Sequence, residues 1–119
     1  MISKLPACPV ETTLLLISNK WRVLILRDLS DGTKRFNELK RTITGISQKV
    51  LTENLRAMEE LKIVSRRVYP EVPPRVEYSL TELGESLKPI LESMYVWGEN
   101  YKANYIKKDS KYDSTVMKK

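Results

Sequence analysis

The side chains that carry most enzyme and metal chemistry are scarce in this sequence, which contains one cysteine, Cys8, and no histidine. Histidine is the usual general base that activates a nucleophile, and a single cysteine cannot supply the ligands of a structural zinc site. We therefore predict that the protein is not an enzyme and that it uses no metal or cofactor. An enzyme with Cys8 as its nucleophile is the alternative, although it would lack the usual base.

Basic side chains are the next group that could bind a ligand, and they are concentrated in the middle of the chain. The net charge is +6, and residues 33–56 hold six lysines and arginines against two glutamates, a local charge of +4. Residues 81–105 instead hold two lysines against four glutamates, a local charge of −2. This asymmetry predicts one surface that binds a polyanion such as nucleic acid, with ordinary solvated charges as the alternative.

Length and composition indicate one small globular domain. The chain has 119 residues, of which 41% are hydrophobic and 30% are charged. Its longest apolar runs, Leu14–Ile17 and Val23–Leu26, have four residues each and are too short to span a membrane. With one cysteine and no signal-peptide pattern, we predict a cytoplasmic protein that makes no membrane contact. We assign residues 1–106 to the domain and residues 107–119, with five lysines and two aspartates, to a basic tail that we expect to be mobile.

Helix signals occur before and within the basic stretch. The first helix is predicted from Pro9 to about Ile17, and the second is capped by Ser18 or Asn19 and ended by Gly32. An extended link, Thr33–Arg35, follows. The third helix is predicted at Asn37–Thr42 and the fourth from Ser47 to about Leu61. Apolar residues recur at helical spacing in the second, third and fourth helices, so we expect each of them to pack one face on a common core.

The fourth helix has two distinct faces. Leu51, Leu55 and Met58 share the apolar face. The polar face is formed by Lys49, Thr52, Glu53, Arg56 and Glu60. Two helices joined by a turn at Gly45, the second with polar residues near its start, are typical of a helix-turn-helix. A plain pair of helices with a solvated outer face is the alternative.

The next stretch reads "VYPEVPPRVEYSLT" and predicts a β-hairpin with a proline-rich tip. Strands Ile63–Tyr69 and Arg75–Leu80 flank the tip Pro70–Pro74, whose prolines cannot lie inside a paired strand because they lack an N–H. A helix-turn-helix followed by a hairpin is the order of a winged helix. A stiff tip loses little entropy on contact with DNA, and Arg75 at its base would enter a minor groove or bind phosphates. The alternative is that the prolines protect an exposed sheet edge from aggregation.

Three segments of the chain resemble the HxlR-type winged-helix transcription regulators. They are "KRFNELKRTITGISQKVLTENLRAMEELKIV", "RVYPEVPPRVEYSLTELGESL" and Cys8 ahead of "NKWRVLILRDL", and together they cover about residues 8–105. The parts "ISQKVL" and "PPRVEYSLT" are specific to that group. The resemblance implies a homodimer on an inverted-repeat operator. It also implies that Cys8 senses electrophiles such as quinones and aldehydes, or disulfide stress, although the second, C-terminal cysteine of some members is missing here.

The end of the domain predicts a helix for dimerisation. Thr81 can cap a long helix, in which Pro89 should cause a kink near Glu85. Apolar residues recur along it at spacings of 4, 3, 4, 3 and 4, at positions Leu83, Leu87, Ile90, Met94, Trp97 and Tyr101. Such a seam is typical of a dimer interface, with packing on the domain's own core as the alternative.

We therefore predict a mainly α winged helix-turn-helix with a small β-hairpin, an N-terminal helix and a long C-terminal dimerisation helix. The residues predicted to contact double-stranded operator DNA are Lys34, Arg35, Asn37, Ser47, Gln48, Lys49, Thr52, Arg56 and Arg75. The helix from Ser47 would lie in the major groove, and the start of the third helix would hold a phosphate. The alternative function is a protein-interaction module that uses this fold without specific DNA readout.

Cys8 is the predicted sensor for a reactive small electrophile or oxidant. It precedes Pro9 and so falls at the N-cap of the first helix, where the positive helix end favours a reactive thiolate. A small apolar residue that only fills space is the alternative. Because the chain has no other cysteine, the modified form must be an adduct, a mixed disulfide with a small thiol, or a Cys8–Cys8 link between subunits.

Overall fold

The computed structural model of the protein describes residues 4–17 and 19–106. Described residues up to Leu87 form one compact unit, and those from Lys88 form a second. The elements of the first unit are α1 (Pro9–Leu16), α2 (Lys20–Leu29), β1 (Lys34–Arg35), α3 (Phe36–Thr42), α4 (Gln48–Glu60), β2 (Val64–Tyr69), β3 (Arg75–Leu80) and α5 (Glu82–Glu85). The second unit holds α6 (Lys88–Tyr101) and a π-helical segment, Lys102–Ile106. This order confirms the predicted mainly α winged helix-turn-helix.

Side-chain caps fix where three of the helices begin. In α2, α4 and α5, the side chains of Asn19, Ser47 and Thr81 accept a hydrogen bond from the backbone N–H three residues further along, at 2.9, 3.1 and 3.0 Å. Each bond satisfies an N–H that has no partner inside the helix, which confirms these three predicted caps. The prediction that Gly32 caps the end of α2 was wrong, because Ser30 is the C-cap. Gly32, with a φ of 130°, turns the chain towards β1 instead.

Two predictions concern residues that the structure leaves undescribed. The predicted tail at residues 107–119 and the alternative cap Ser18 both lie outside the described ranges. The assignment of residues 1–106 to a single domain stays a prediction.

The core of the first unit is formed by the apolar faces of α2, α3 and α4 and by the start of the hairpin. The apolar side chains that are at most 3% exposed are Ile25, Leu26, Leu29, Leu39, Ile43, Ile46, Leu51, Leu55, Met58, Ile63 and Val64. This set confirms that α2, α3 and α4 each pack apolar residues on a common core, as predicted. Burial of one such side chain stabilises the fold by about 1.5–3 kcal/mol, so this core anchors α4 on its neighbours.

Three antiparallel strands form the sheet, in the order β1–β3–β2. Strands β2 and β3 are the predicted hairpin, and their register places Tyr69 opposite Arg75. We call β2, β3 and the tip at residues 70–74 the wing. The link Thr33–Arg35, predicted only as extended, contributes β1, which pairs with β3. A two-residue strand is too short to show an alternating pattern, so the sequence gives no sign of this third strand.

Helix α5 packs against the start of the wing at a position where only glycine fits. Gly84 is buried, and a Cβ at this position would overlap the backbone carbonyl oxygen of Ile63. The Thr81 backbone N–H donates to the same carbonyl at 3.0 Å, and the Thr81 hydroxyl donates to the Lys62 carbonyl at 2.6 Å. These contacts hold α5 against the turn that joins α4 to β2.

The C-terminal region differs from the single long helix predicted from Thr81. Helix α5 has four residues, a turn follows it, and α6 then begins at Lys88. Pro89 is the second residue of α6, a position where its missing N–H removes no helical hydrogen bond. The predicted kink near Glu85 was therefore wrong, because the chain ends one helix there and starts another.

Candidate nucleic-acid interface

The exposed face of α4 carries the side chains predicted to reach DNA bases. Gln48, Lys49 and Arg56 are exposed, and Thr52 is half-buried. The opposite face of the helix is buried in the core, so these side chains project from a rigid support. Gln48, Lys49 and Thr52 lie in the N-terminal part of α4, which is the part of a recognition helix that contacts base edges in helix-turn-helix proteins. Arg56 lies one turn after Thr52 on the same face.

Some groups predicted to contact phosphate already have partners within the chain. The Ser47 hydroxyl caps α4, and the Glu38 carboxylate accepts a hydrogen bond from the Arg35 backbone N–H at 2.8 Å. One backbone donor at the start of α3 is therefore taken. The Arg35 and Asn37 side chains are exposed and that of Lys34 is half-buried, so phosphate contact at this place depends on side chains.

The start of α3 and the tip of the wing line a common hollow. Its volume is about 470 Å³, and its walls are formed by residues 35–37 and 71–76. The structure thereby brings Arg35 and Asn37 beside Arg75, although these residues are far apart in the sequence. Three of the predicted DNA contacts thus face one hollow.

Arg75 lies at the base of the wing tip, where its guanidinium has several partners. Its Nη2 is 3.1 Å from Glu71 Oε2, and its Nε is 3.8 Å from Glu77 Oε2. The same guanidinium lies 3.8 Å from the centre of the Tyr69 ring. These contacts leave the side chain 27% exposed, so Arg75 braces the wing and presents only part of its charge to solvent.

Two basic residues of the wing are absent from the predicted contacts. Arg66 and Arg67 on β2 are both exposed. The Nε of Arg66 is 3.6 Å from Glu59 Oε1 on α4, and the Arg67 guanidinium is 4.9 Å from the centre of the Tyr69 ring. The adjacent basic pair in "SRRVY" was the available sequence signal for this positive edge.

Tyr78 lies in the middle strand of the sheet and is buried. Its burial raises the pKa of the Tyr78 hydroxyl above the usual 10.0; Arg66 and Arg56 act to lower this pKa, and Glu59 acts to raise it. Tyr78 is therefore neutral near pH 7 and contributes packing rather than charge to the interface.

The seam predicted for dimerisation is divided between the two units. Leu83 on α5 is 52% exposed, whereas Leu87 is only 8% exposed and so belongs to the core of the first unit. The other four residues of the seam, which are 40% to 69% exposed, are Ile90, Met94, Trp97 and Tyr101 on α6. The rings of Trp97 and Tyr101 stack with their centres 5.4 Å apart, and Tyr105 stacks on Tyr101 at 5.5 Å.

Cys8 occupies the N-cap of α1, as predicted, and its side chain is exposed. Pro9 follows it at the start of the helix, and the Cys8 side chain makes no capping hydrogen bond. None of the residues of α1 is buried, and Val10 and Leu14 are exposed apolar side chains on this helix. A small reagent can therefore reach the thiol.

Comparison with known proteins decides the family. The sequence model of the HxlR-like helix-turn-helix family matches residues 16–105. The chain belongs to this family. Relatives of the chain include the uncharacterized HTH-type transcriptional regulator YdeP of Bacillus subtilis strain 168. It is 50% identical over 95 residues, which are 80% of this chain and 74% of YdeP.

Solved structures of similar regulators share the fold. The redox regulator HypR in its reduced form is 48% identical, with a TM-score of 0.77 over 80% of this chain and 94% of the HypR chain. Diamide-treated YodB from B. subtilis is 41% identical, with a TM-score of 0.67 over 79% of this chain and 94% of the YodB chain. The predicted resemblance is confirmed, and this HxlR-like protein is a DNA-binding transcription regulator with a winged helix.

Two findings concern other functions. Among the helices of residues 4–17 and 19–106, none has the length and apolar character needed to cross a membrane. The same part of the chain contains no group of three or more histidine, cysteine, aspartate or glutamate side chains placed to hold a metal ion.

Proposed function

We propose that this HxlR-like regulator is a homodimer that binds an inverted-repeat operator and responds through Cys8 to oxidants or electrophiles. The observation that carries the proposal is the exposed polar face of α4, which is held rigidly by its buried apolar face in a chain of this family. Membership of a DNA-binding family makes double-stranded DNA the partner, and the geometry nominates the residues that contact it.

The exposed polar face of α4 from Gln48 to Arg56 is assigned to the major groove. Gln48 and Arg56 carry the side-chain groups that pair with adenine and guanine through two hydrogen bonds each. Lys49 and Thr52 lie on the same polar face, within reach of either a base edge or a phosphate. Base readout by this face would make binding depend on the operator sequence.

The basic and polar side chains near the starts of α3 and α4 and at the base of the wing tip are assigned to the DNA backbone. Lys34, Arg35 and Asn37 flank the start of α3, and Ser47 stands at the start of α4. Arg75 can join them by exchanging Glu71 for a phosphate, because the Glu71 side chain is 51% exposed and free to move away. Each phosphate that a cation neutralises releases counterions, so binding should weaken as salt is raised.

The exposed face of α6 is assigned to dimerisation. Its four seam residues expose two aliphatic and two aromatic side chains, a composition typical of the buried centre of protein interfaces. Leu83 is kept as a candidate at the edge of this interface. Leu87 is excluded from the interface because it is already buried within one chain. A second copy of the chain would cover the face and place two α4 helices for two half-sites.

The exposed thiol of Cys8 supports the sensing role. HypR, 48% identical to this chain, is a redox regulator, and YodB has a solved structure after diamide treatment. Cys8 has no other cysteine in its chain, so a disulfide must join it to a small thiol or to Cys8 of a second subunit. Sensing would therefore take place at a position that is accessible in the described fold.

We keep residues 1–106 as the DNA-binding and dimerisation domain and propose that the protein acts in the cytoplasm, at the nucleoid. The basic segment 107–119 would add weak, non-specific attraction to DNA. Val68 and Val72 on the wing, 51% and 101% exposed, favour a second candidate function in which the wing contacts a protein partner. Salt-sensitive binding to duplex DNA would favour the first candidate, because phosphate contacts are screened by salt.

The test is to capture sheared genomic DNA with the full chain and to sequence the retained fragments. We expect a small set of fragments that share an inverted repeat. The double variant Lys49→Ala, Arg56→Ala should lose this preference, whereas Lys4→Ala, which removes an exposed charge outside α3, α4 and the wing, should keep it. Recovery of the same fragments by the wild type and the double variant would contradict the assignment of α4.

A further inference from the structure

A buried asparagine interrupts the apolar face of α4. Asn54 lies between Leu51 and Met58 at helical spacing and is only 9% exposed. It is too buried to contact DNA directly. A buried amide is costly unless its oxygen and nitrogen both have hydrogen-bond partners, so the partners of Asn54 indicate what it does.

The Asn54 amide is hydrogen-bonded at both ends. Its Oδ1 accepts a hydrogen bond from Asn19 Nδ2 at 3.2 Å, and its Nδ2 donates to the Val50 carbonyl at 2.8 Å. Val50 lies one turn earlier in α4, and its own N–H donates to the capping hydroxyl of Ser47. Asn54 therefore ties Asn19 to the first turn of α4.

Asn19 continues the connection into α1 and α2. Its Oδ1 accepts a hydrogen bond from the Arg22 backbone N–H at 2.9 Å, which is the cap of α2. The Arg22 Nη1 donates to the carbonyls of Leu15 and Leu16, at 3.3 and 3.2 Å. Because α1 has no basic residue in its own last turn, Arg22 supplies the positive charge at that end. Hydrogen bonds thus link the end of α1 to the start of α4.

We propose that Asn19 and Asn54 are positioning residues that fix the first turn of α4 relative to the junction of α1 and α2. A single polar contact beside an apolar face selects one register, because a shift of α4 would break the Asn19–Asn54 bond and leave the buried Oδ1 of Asn54 without this donor. The inference rests on the proposed function, since it assumes that α4 reads the operator. Helix α1 carries Cys8 at its opposite end, so a displacement of α1 would reach α4 through these bonds.

Asn19→Ser is the decisive variant. Serine caps a helix about as well as asparagine, but its side chain is too short to reach Asn54. The capping of α2 is therefore kept while the link to α4 is lost. Asn54→Ala removes the other member of the pair, and Asn100→Ser, on the exposed surface of α6, is the matched control.

Two measurements are needed, the first without DNA. Backbone amide chemical shifts of residues 47–52 in the full chain should change in Asn19→Ser and in Asn54→Ala but not in Asn100→Ser. In the second measurement, each of the two single variants should bind the captured operator about fivefold or more weakly, with unchanged affinity for non-specific DNA. The double variant should lose no more affinity than either single variant, because both changes break one link.

Three outcomes of these measurements would overturn the proposal. Unchanged amide shifts at residues 47–52 in Asn19→Ser would show that the pair does not position α4, even if Asn54→Ala fails to fold. If the amide shifts of residues 47–52 change but operator affinity stays at the wild-type level, Asn19 and Asn54 only stabilise the fold. If the double variant loses operator affinity by the product of the two single losses, the two residues act independently. If the wild type shows no DNA sequence preference, the proposed function is refuted. In that case the amide shifts alone test whether Asn19 and Asn54 position α4.

Discussion

The guanidinium of Arg75 lies 3.8 Å from the centre of the Tyr69 ring, and the two residues face each other across the hairpin. Glu71 at the tip pairs with the same guanidinium at 3.1 Å, and Arg67 lies 4.9 Å from the ring centre. Tyr69 is half-buried, and a cation over an aromatic ring contributes about 0.5–2 kcal/mol. Side chains therefore hold the wing in shape together with the prolines, which reduces the entropy lost when the wing contacts DNA.

The two roles of Arg75, bracing the wing and binding phosphate, can be separated by two variants. Arg75→Gln removes the charge, and Tyr69→Leu removes only the ring on which the charge lies. We expect Arg75→Gln to weaken binding to all DNA sequences and to reduce the slope of log K against log salt by about 0.9 per contacted phosphate. Tyr69→Leu should weaken binding less and keep the slope. Titrations between about 50 and 200 mM salt test this, and equal affinity of the wild type and Arg75→Gln throughout would exclude a DNA contact.

Single substitutions on α4 should change sequence preference rather than salt dependence. We expect Arg56→Ala or Lys49→Ala to cost about 1–3 kcal/mol per half-site where the side chain contacts a base, and to relax preference at that base pair. Competition binding with operators mutated at one base pair at a time measures both effects. Lys40→Ala on α3 is the control, since Lys40 is an exposed charge outside the predicted contacts. If Lys40→Ala loses as much DNA sequence preference as the α4 variants, base recognition does not depend on Lys49 and Arg56.

Features set by short-range chemistry were predictable from the sequence. The caps at Asn19, Ser47 and Thr81 follow from side chains that accept a bond from an N–H three residues away. The buried face of α4 follows from helical periodicity, and the proline-rich tip follows from the missing N–H of proline. These features position the predicted DNA-binding face, and they depend on few residues outside their own segment.

Features that depend on distant partners were not predictable in this way. The burial of Leu87 and the start of a new helix at Lys88 depend on tertiary packing, which the apolar spacing in the sequence does not show. Asn54 has an ordinary polar side chain in the sequence, and only its bond to Asn19, 35 residues away, shows its role. Likewise, the partial neutralisation of Arg75 by Glu71 requires the closed geometry of the hairpin tip.

The exposed face of α6 predicts a dimer that can be broken without damage to the core. Ile90→Asp combined with Met94→Asp should yield monomers, because each buried carboxylate would have to lose its hydration at the interface. Leu87 is left unchanged, since it is buried within one chain and its substitution would destabilise the fold. Val96→Asp is the control, because Val96 is 56% exposed and lies on the opposite side of α6. Sedimentation at micromolar concentration measures the oligomeric state. A double variant that remains a dimer would show that this face of α6 is not the dimer interface.

Gly84 should be intolerant of any side chain. We expect Gly84→Ala to lower the free energy of unfolding by about 1–3 kcal/mol, because the added Cβ overlaps the Ile63 carbonyl and α5 must move away. Gly98→Ala provides the comparison, since a Cβ there meets no atom within 4 Å and alanine favours a helix more than glycine does by about 1 kcal/mol. Urea unfolding measures both variants. Equal stability of Gly84→Ala and the wild type would mean that α5 is not held against the Ile63 carbonyl.

Modification of Cys8 should lower the affinity for the operator. The thiol is exposed at the start of α1, and the end of α1 is hydrogen-bonded to Arg22 and through it to the cap of α2. A quinone adds to the sulfur as a thioether, whereas diamide takes two electrons and two protons from two thiols and leaves a disulfide. Either product adds bulk beside α1, which should disturb the register that α1 and α2 give to α4.

We expect treatment with either reagent to weaken operator binding by the wild type about fivefold or more and to leave Cys8→Ser unchanged. Because the chain has no other cysteine, mass spectrometry should find one modification per chain, and a reductant should restore affinity after diamide but not after the quinone. Diamide without an added thiol tests for the Cys8–Cys8 link, which would appear as a covalent dimer on a non-reducing gel. If the wild type keeps its full affinity when every Cys8 is modified, the thiol has no part in regulation.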